Sequence, residues 1–320
     1  MTIRDRSRSN AVIEERNSGM GNLTRRKFLQ QSSAAAALVA SASFLKAGTA
    51  KRALGIQLYT VLADMKRDAP GTLQTLGKIG YQYVEAYDLG AQTPEQFRRA
   101  LDDAGLKCPS THGNYSGADP TPQFDAALAI GARYAVSSML MTSVVADGPD
   151  HYGAHSDLTE DEFKKIAALA NAIGAKAKKA GIHYAYHNHN FEFIKFADGR
   201  TGYQVVLDET DPELVKLELD CGWMAVAGVN PADYLRTYHG RYRMIHVKDF
   251  KPVKESTTVL FGPGRPTGTE LGRGYIDYKP IFAAAEVSGV EYYLSEQEPP
   301  FVDMTALEAA RVNYEYMLSI

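Results

Sequence analysis

Ile182-His183-Tyr184-Ala185-Tyr186-His187-Asn188-His189-Asn190-Phe191-Glu192 reads as a buried strand whose end carries metal-ligand chemistry. Strand alternation puts His187 and His189 on one side and turns Asn188 away. Two imidazoles and the Glu192 carboxylate within six residues suit a cation, because imidazole is the commonest neutral ligand for transition metals. The same residues also suit a polar strand end whose histidines bond to loops. The surroundings weigh the two readings.

Working outward, this strand is one beat of a repeat. Before it lies a long helix from about Thr159, acidic early at Asp161 and Glu162 and basic late at Lys176, Lys178 and Lys179, as the helix dipole favours. Gly181 closes that helix. Strands are expected at Leu54–Tyr59, Tyr83–Ala86, Lys107–His112, Tyr134–Leu140, Ile182–His187, Leu214–Asp220, Tyr242–Val247 and Val290–Ser295. Helices are expected between them at Gly71–Ile79, Pro94–Ala104, Pro122–Ile130, Tyr203–Asp208, after Asn230-Pro231, at Tyr278–Val287 and at Met304–Leu318. A long Gly/Pro loop separates Phe250 from Gly274. Strands alternating with helices predict a parallel sheet. Eight such units over residues 51–320 predict an α/β fold, a single (β/α)8 TIM barrel. An open doubly wound sheet would want a phosphate-binding glycine pattern after its first strand, and Gln57-Leu58-Tyr59-Thr60 has none.

Barrel active sites form at the C-terminal ends of strands. Here those ends read Gln57 and Tyr59, Glu85, His112, His187 and His189, Glu218 and Asp220, His246 with Lys248 and Asp249, and Glu296 with Glu298. An inward carboxylate at a barrel mouth is costly unless paired or metal-bound. Four successive strands, the fifth to the eighth, each end in His, Asp or Glu, which favours a metal site over a solvated rim.

The chain has 320 residues, a net charge of −3 and 45% hydrophobic residues, which fits an enzyme-sized globular protein. The acidic balance disfavours a nucleic-acid surface. Cys108 and Cys221, in or beside strands, are expected to be buried free thiols. Thr24-Arg25-Arg26-Lys27-Phe28-Leu29, the Ala/Ser/Val/Leu run from Ser32 to Leu45 and Ala47-Gly48-Thr49-Ala50 follow the order of a twin-arginine export signal. Residues 1–50 are therefore set apart as signal and disordered N-terminus. The expectation is an exported, periplasmic protein that engages the twin-arginine machinery. Its apolar run is too short to span a bilayer, so no stable span is expected in the mature form. The sequence is compatible with a homo-oligomer.

Several motifs together resemble the sugar phosphate isomerase/epimerase family, with its xylose isomerase-like barrel. They are Gln57-Leu58-Tyr59-Thr60, Tyr186-His187-Asn188-His189-Asn190-Phe191-Glu192-Phe193, Leu217-Glu218-Leu219-Asp220-Cys221-Gly222-Trp223, Asn230-Pro231, Gly240-Arg241, His246-Val247-Lys248-Asp249, Gly272-Arg273-Gly274 and Ser295-Glu296-Gln297-Glu298. The resemblance covers nearly all of residues 52–320. It implies one divalent metal (Mn, Mg, Zn or Co) held by His187, Asp220, His246 and Glu296. Many relatives carry glutamate where this chain has His187, and some carry histidine where it has Trp223.

The chemistry so implied is enediolate formation on a keto-sugar or related polyol. A cation polarises the carbonyl and a base takes the neighbouring proton. Return of the proton gives isomerisation or epimerisation, and loss of a β-substituent gives elimination. Glu296 is the expected base, with Lys248, His189, Glu192 and His112 for other proton transfers. Tyr59, Trp223 and Phe191 could stack on a sugar, Arg273 and Lys248 could hold its oxygens, and Glu85 could face the cavity. Two-base epimerases place a carboxylate on each substrate face, and His187 replaces one of them. The leading expectation is a divalent-metal-dependent sugar isomerase/epimerase, and the His187 departure brings forward, as its alternative, a lyase or dehydratase acting on keto-inositols or 3-keto-glycosides. A non-catalytic carbohydrate-binding barrel is the alternative outside enzymes. An endonuclease-type barrel would want a basic groove and a further histidine at Trp223.

Overall fold

The computed structural model describes residues 52–89, 91–145, 158–301 and 303–320. The twin-arginine segment, and the part of the Gly/Asp/His loop over residues 146–157, lie outside the described residues. Eight parallel strands close into a barrel: β1 (Leu54–Gln57), β2 (Tyr83–Ala86), β3 (Lys107–His112), β4 (Tyr134–Ser137), β5 (His183–His187), β6 (Val215–Asp220), β7 (Tyr242–Val247) and β10 (Tyr292–Ser295). β10 pairs with both β7 and β1, which completes the ring. Helices α1 (Leu62–Ile79), α2 (Pro94–Ala104), α3 (Thr121–Ala129), α4 (Glu160–Ala180), α5 (Gly202–Glu209), α6 (Cys221–Val226), α7 (Pro231–Thr237), α8 (Tyr278–Ser288) and α9 (Ala306–Ser319) lie between and after the strands. The expected (β/α)8 barrel is the fold that forms. Both cysteines are buried free thiols. No helix among the described residues is long and apolar enough to cross a membrane.

Local chemistry explains the helix starts. Thr93, Thr159, Thr201 and Thr305 each accept a backbone N–H three residues on, while Gln96, Glu162, Gln204 and Glu308 return the bond. These are capping boxes, which satisfy otherwise orphaned donors. Gly181 ends α4 at a left-handed φ of 82°, where a side chain would be strained.

Four departures from the sequence reading have physical causes. α1 begins at Leu62, not Gly71, and bends at Asp68. Pro70 cannot continue a regular helix, and the Asp68 carboxylate accepts the Gly71 N–H to restart it. β4 stops at Ser137, and Leu140–Ser143 turns into a 3-10 segment. The short α6 was not foreseen; Asp220 caps it by accepting the Trp223 N–H at 2.8 Å. The Gly/Pro loop contains a two-stranded ribbon, β8 (Asp249–Phe250) with β9 (Gly268–Thr269). The Asp249 carboxylate ties this loop down by accepting backbone N–H groups of Phe250, Gly272, Gly274, Tyr275 and Ile276. A Cβ on Gly274 would lie 2.0 Å from Asp249 Oδ1, so the approach requires glycine.

The barrel interior is layered. Tyr134, Val136, Ala185, Met244 and Leu294 form a buried apolar plug. Two residues onward along three of these strands come His187, His246 and Glu296, placed on the same side by alternation. A polar layer therefore sits on an apolar floor. Isolated buried charges would cost several kcal/mol each, so this layer must be internally paired or must hold a cation.

Candidate metal centre at the barrel mouth

Strand register brings the polar residues together. His187 stands beside Glu218, Asp220 beside His246, and Gln57 beside Glu85 on adjacent strands. The Glu296 N–H donates to Val247 O, holding Glu296 just past β10. The two histidines link two tiers. His187 meets Glu218 Oε2 through Nδ1 at 2.9 Å and faces Asp220 Oδ2 through Nε2 at 3.8 Å. His246 meets Glu85 Oε1 through Nε2 at 2.7 Å and Glu296 Oε2 through Nδ1 at 2.9 Å. His246 Nδ1 is 4.0 Å from Asp220 Oδ2.

The outer tier fits a cation. Ligand atoms of Asp220, His246 and Glu296 all lie within 4.8 Å of one another, and ligands on one ion at roughly 2.0–2.2 Å lie up to about 4.4 Å apart. Asp220 spends Oδ1 on its helix cap, while Oδ2 is buried with no hydrogen-bond partner. A buried carboxylate oxygen that accepts no hydrogen bond, faces two imidazole nitrogens and has Lys248 Nζ 3.3 Å away suits a ligand position. The inner tier supplies the complementary half. Metal-binding histidines commonly give their second nitrogen to a carboxylate, which fixes tautomer and orientation. Glu218 does this for His187 and Glu85 for His246. Gln57 donates to Glu85 at 2.7 Å. The inner tier also includes a second close grouping, His112, His187, Glu218 and His246.

Electrostatics follow the tiers. His112 Nε2 lies 3.0 Å from Glu85 and 2.8 Å from Glu218. Burial opposes its charge, but the two carboxylates win and push the imidazole up to about 10. Burial likewise opposes the charge on Glu85 and Glu218, and the histidines overcome it, holding both below the ordinary carboxylate range. Burial drives His187 and His189 well below the usual imidazole value, so both stay neutral. Burial also raises Asp220, against the pull of Lys248 and His246. Lys248 Nζ lies 3.3 Å from Asp220, 2.9 Å from Glu296 and 2.8 Å from Glu298. Although burial opposes it, Lys248 together with His246 holds Glu296 well below the carboxylate range.

The sequence matches the family described as "Xylose isomerase-like TIM barrel" over residues 73–300. This chain belongs to the xylose isomerase-like TIM barrel family. Within it, the chain is similar to an inosose dehydratase of Lacticaseibacillus casei, with 27% identity over 252 residues, covering 69% of this chain and 79% of that protein. Among solved structures, a sugar phosphate isomerase/epimerase from Parabacteroides distasonis superposes with a TM-score of 0.66 at 22% identity, covering 85% of this chain and 95% of the other. The IolI protein with a bound zinc atom gives 0.63 at 16% identity, over 83% and 96%. These two likenesses establish the fold alone.

The remaining site residues of this xylose isomerase-like barrel fall into three places. Tyr59 is half-buried at the mouth, edge-on to Tyr87 with centroids 4.9 Å apart. His189 is only partly covered, and its Nδ1 has no hydrogen-bond partner. Glu192 is fully buried: Oε1 accepts from the Tyr186 hydroxyl and Oε2 from the His189 N–H. Burial raises its carboxyl to about 8. With both oxygens engaged, Glu192 positions His189 rather than meeting a substrate, against the expectation of direct proton transfer. Trp223 also departs from expectation. It is fully buried, with Lys248 and Arg265 over its ring at 5.2 and 5.5 Å, so it offers no face to a sugar. Phe191 is fully buried as well. Arg273 points outward, half-exposed and paired with Glu270 at 3.4 Å, away from the centre. Arg265, bonded to Glu298, was missed; it lies in a loop without periodicity. Glu298 and Glu218 were visible only as members of the strand-end pattern.

Proposed function

We propose that the protein is a divalent-metal-dependent lyase that removes water from a keto-inositol or closely related keto-sugar. The observation that carries this reading is the match to inosose dehydratase along 69% of the chain. The grouping of Asp220, His246 and Glu296 supports it, with His187 Nε2 3.8 Å from Asp220 Oδ2 at its edge. These four residues would hold the cation, of which Mn, Mg, Zn and Co all suit the mixed N/O set. When bound, a divalent cation polarises a carbonyl and acidifies the adjoining C–H.

The chain's own residues supply the rest. Dehydration breaks a C–H bond, forms C=C and breaks the neighbouring C–O bond. The proton goes to a base, and the hydroxyl leaves as water after receiving a proton. Glu296 is ionised and faces His246 and Lys248, and the neutral His189 lies edge-on to His187 with ring centroids 5.1 Å apart; we assign these two as the acceptors for the carbon proton. Lys248, 2.9 Å from Glu296, is the donor to the leaving hydroxyl. His112 sits on the inner carboxylates and fixes their charge. Tyr59 lines the entrance to the substrate.

Isomerisation or epimerisation of a keto-sugar is the second reading, favoured by the structural likeness to a sugar phosphate isomerase/epimerase, which is one of fold. Incubation of the metal-loaded protein with a keto-inositol separates the two. The lyase reading predicts a product lighter by one water, whereas a product of unchanged mass favours the isomerase. No turnover of keto-inositols, ketoses or 3-keto-glycosides with cation bound would leave a non-catalytic sugar-binding barrel. We also infer, from Thr24–Leu29 alone, that the protein is exported by the twin-arginine route; a reporter fused to residues 1–50 that stays inside the cell would overturn this.

A further inference from the structure

Lys248 and a cation compete for the same two oxygens. Lys248 Nζ lies 3.3 Å from Asp220 Oδ2 and 2.9 Å from Glu296 Oε2. Asp220 Oδ2 is also the oxygen that faces both imidazoles, and Glu296 Oε2 is the one that meets His246 Nδ1. A divalent ion on these oxygens offsets the charge that draws the ammonium in, and it repels the ammonium itself. Lys248 is buried, and a buried charge that loses its counter-charge is costly. Lys248 therefore needs a carboxylate that the cation does not use.

Glu298 fits that need. It follows the end of β10 and stands outside the grouping of Asp220, His246 and Glu296. Its Oε1 accepts from Lys248 Nζ at 2.8 Å, and its Oε2 accepts from Arg265 Nη2. Arg265 comes from the loop between β8 and β9, so the carboxylate is held from both ends. Both cations lie over the Trp223 ring, Lys248 Nζ at 5.2 Å and Arg265 Cζ at 5.5 Å from its centroid, and a ring face attracts positive charge. Lys248, Arg265 and Glu298 also border a cleft of about 150 Å3. The flexible four-carbon stem of lysine lets its ammonium shift toward that side.

We propose that Glu298, buttressed by Arg265, is a positioning residue that holds the Lys248 ammonium off Asp220 and Glu296. This frees both carboxylates for the cation and keeps Lys248 at the edge of the centre. Without Glu298, Lys248 falls back on the two ligand carboxylates and competes with the ion. The inference rests on the cation placement proposed above and is independent of which substrate reacts there.

A double-mutant cycle tests it, with zinc ion titrated into the metal-free full chain against a chromophoric chelator. Glu298→Gln should weaken zinc binding about tenfold, a coupling typical of residues in one ion-pair network. Glu298→Asp, which keeps the charge, should lose less. Arg265→Ala loosens Glu298 from outside the centre, should shift affinity in the same direction, and repeats the cycle with the carboxylate intact. Lys248→Met should tighten zinc binding, and in that background Glu298→Gln should change it by no more than about twofold. Unchanged affinity in Glu298→Gln, or an equal loss with and without Lys248, would overturn the proposal; the second result would mean that Glu298 acts on the ion directly. A wild-type protein that binds no zinc would overturn the metal centre and this inference with it. Keto-inositol dehydration, followed in parallel, bears on the lyase reading alone.

Discussion

The two halves of the barrel mouth are built for different work. The half formed by β5, β6, β7 and β10 gathers His187, Asp220, His246, Lys248 and Glu296, all buried. The half formed by β2, β3 and β4 is open, and Asp88 and His112 line it together with the neutral Asn114, Ser137, Ser138 and Thr142. Buried charges act strongly because little water screens them, so the first half can grip a cation and move protons. The boundary is His112, which lines the open half yet is bonded to Glu85 and Glu218.

The sharpest way to break this comparison is to remove ligands from the charged half. Asp220→Asn and His187→Ala should each lower metal affinity by more than the roughly 10–100-fold expected for an outer-shell partner. Glu296→Gln should abolish turnover as well as weaken metal binding. Metal content after dialysis against a graded chelator reads the affinities. Full metal retention with normal turnover in His187→Ala would remove that residue from the ligand set.

A smaller effect is expected one tier down. Glu218→Gln keeps the shape but weakens the acceptor for His187 Nδ1, and should reduce metal affinity about 10–100-fold. A loss as large as that of Asp220→Asn would mean that Glu218 itself binds the cation.

The covering loop offers a stability test. Gly274→Ala forces a Cβ against Asp249 and Phe250 O and should cost about 1–3 kcal/mol in denaturant unfolding. Unchanged stability would show that the Asp249 anchor yields easily.

Last and smallest is a pH effect at the boundary. His112 is raised from 6.5 to about 10 in the fold. Its stabilising contribution is therefore complete below pH 6.5 and fades as pH rises through 10. Without metal, wild type should exceed His112→Gln by on the order of 1–3 kcal/mol near pH 6. The gap should close toward pH 10, and a gap that widened with pH would contradict the assignment.

The barrel was legible because its punctuation is local. Thr-initiated capping boxes and Gly181 mark helix ends within a few residues, and eight repeats leave few alternatives. The polar cluster at the barrel mouth was legible because His187, Asp220, His246 and Glu296 fall at strand ends, whereas their assignment as a ligand set came from the family resemblance. What stayed hidden depends on distant partners. That Glu85 serves His246 is a contact across 161 residues of sequence. Trp223 is buried because Asp220 caps a six-residue helix too short to show periodicity, which carries the indole under Lys248 and Arg265. Arg265 and Arg273 lie in one aperiodic loop, and only their distant or local partners, Glu298 for Arg265 and Glu270 for Arg273, tell them apart.

The most direct test of the account is the mass of the product formed from a keto-inositol by the metal-replete protein. The account predicts a product lighter by one water, formed with loss of the proton beside the carbonyl and stopped by chelator or by Glu296→Gln. A product of unchanged mass, or no reaction while the cation is bound, would contradict it.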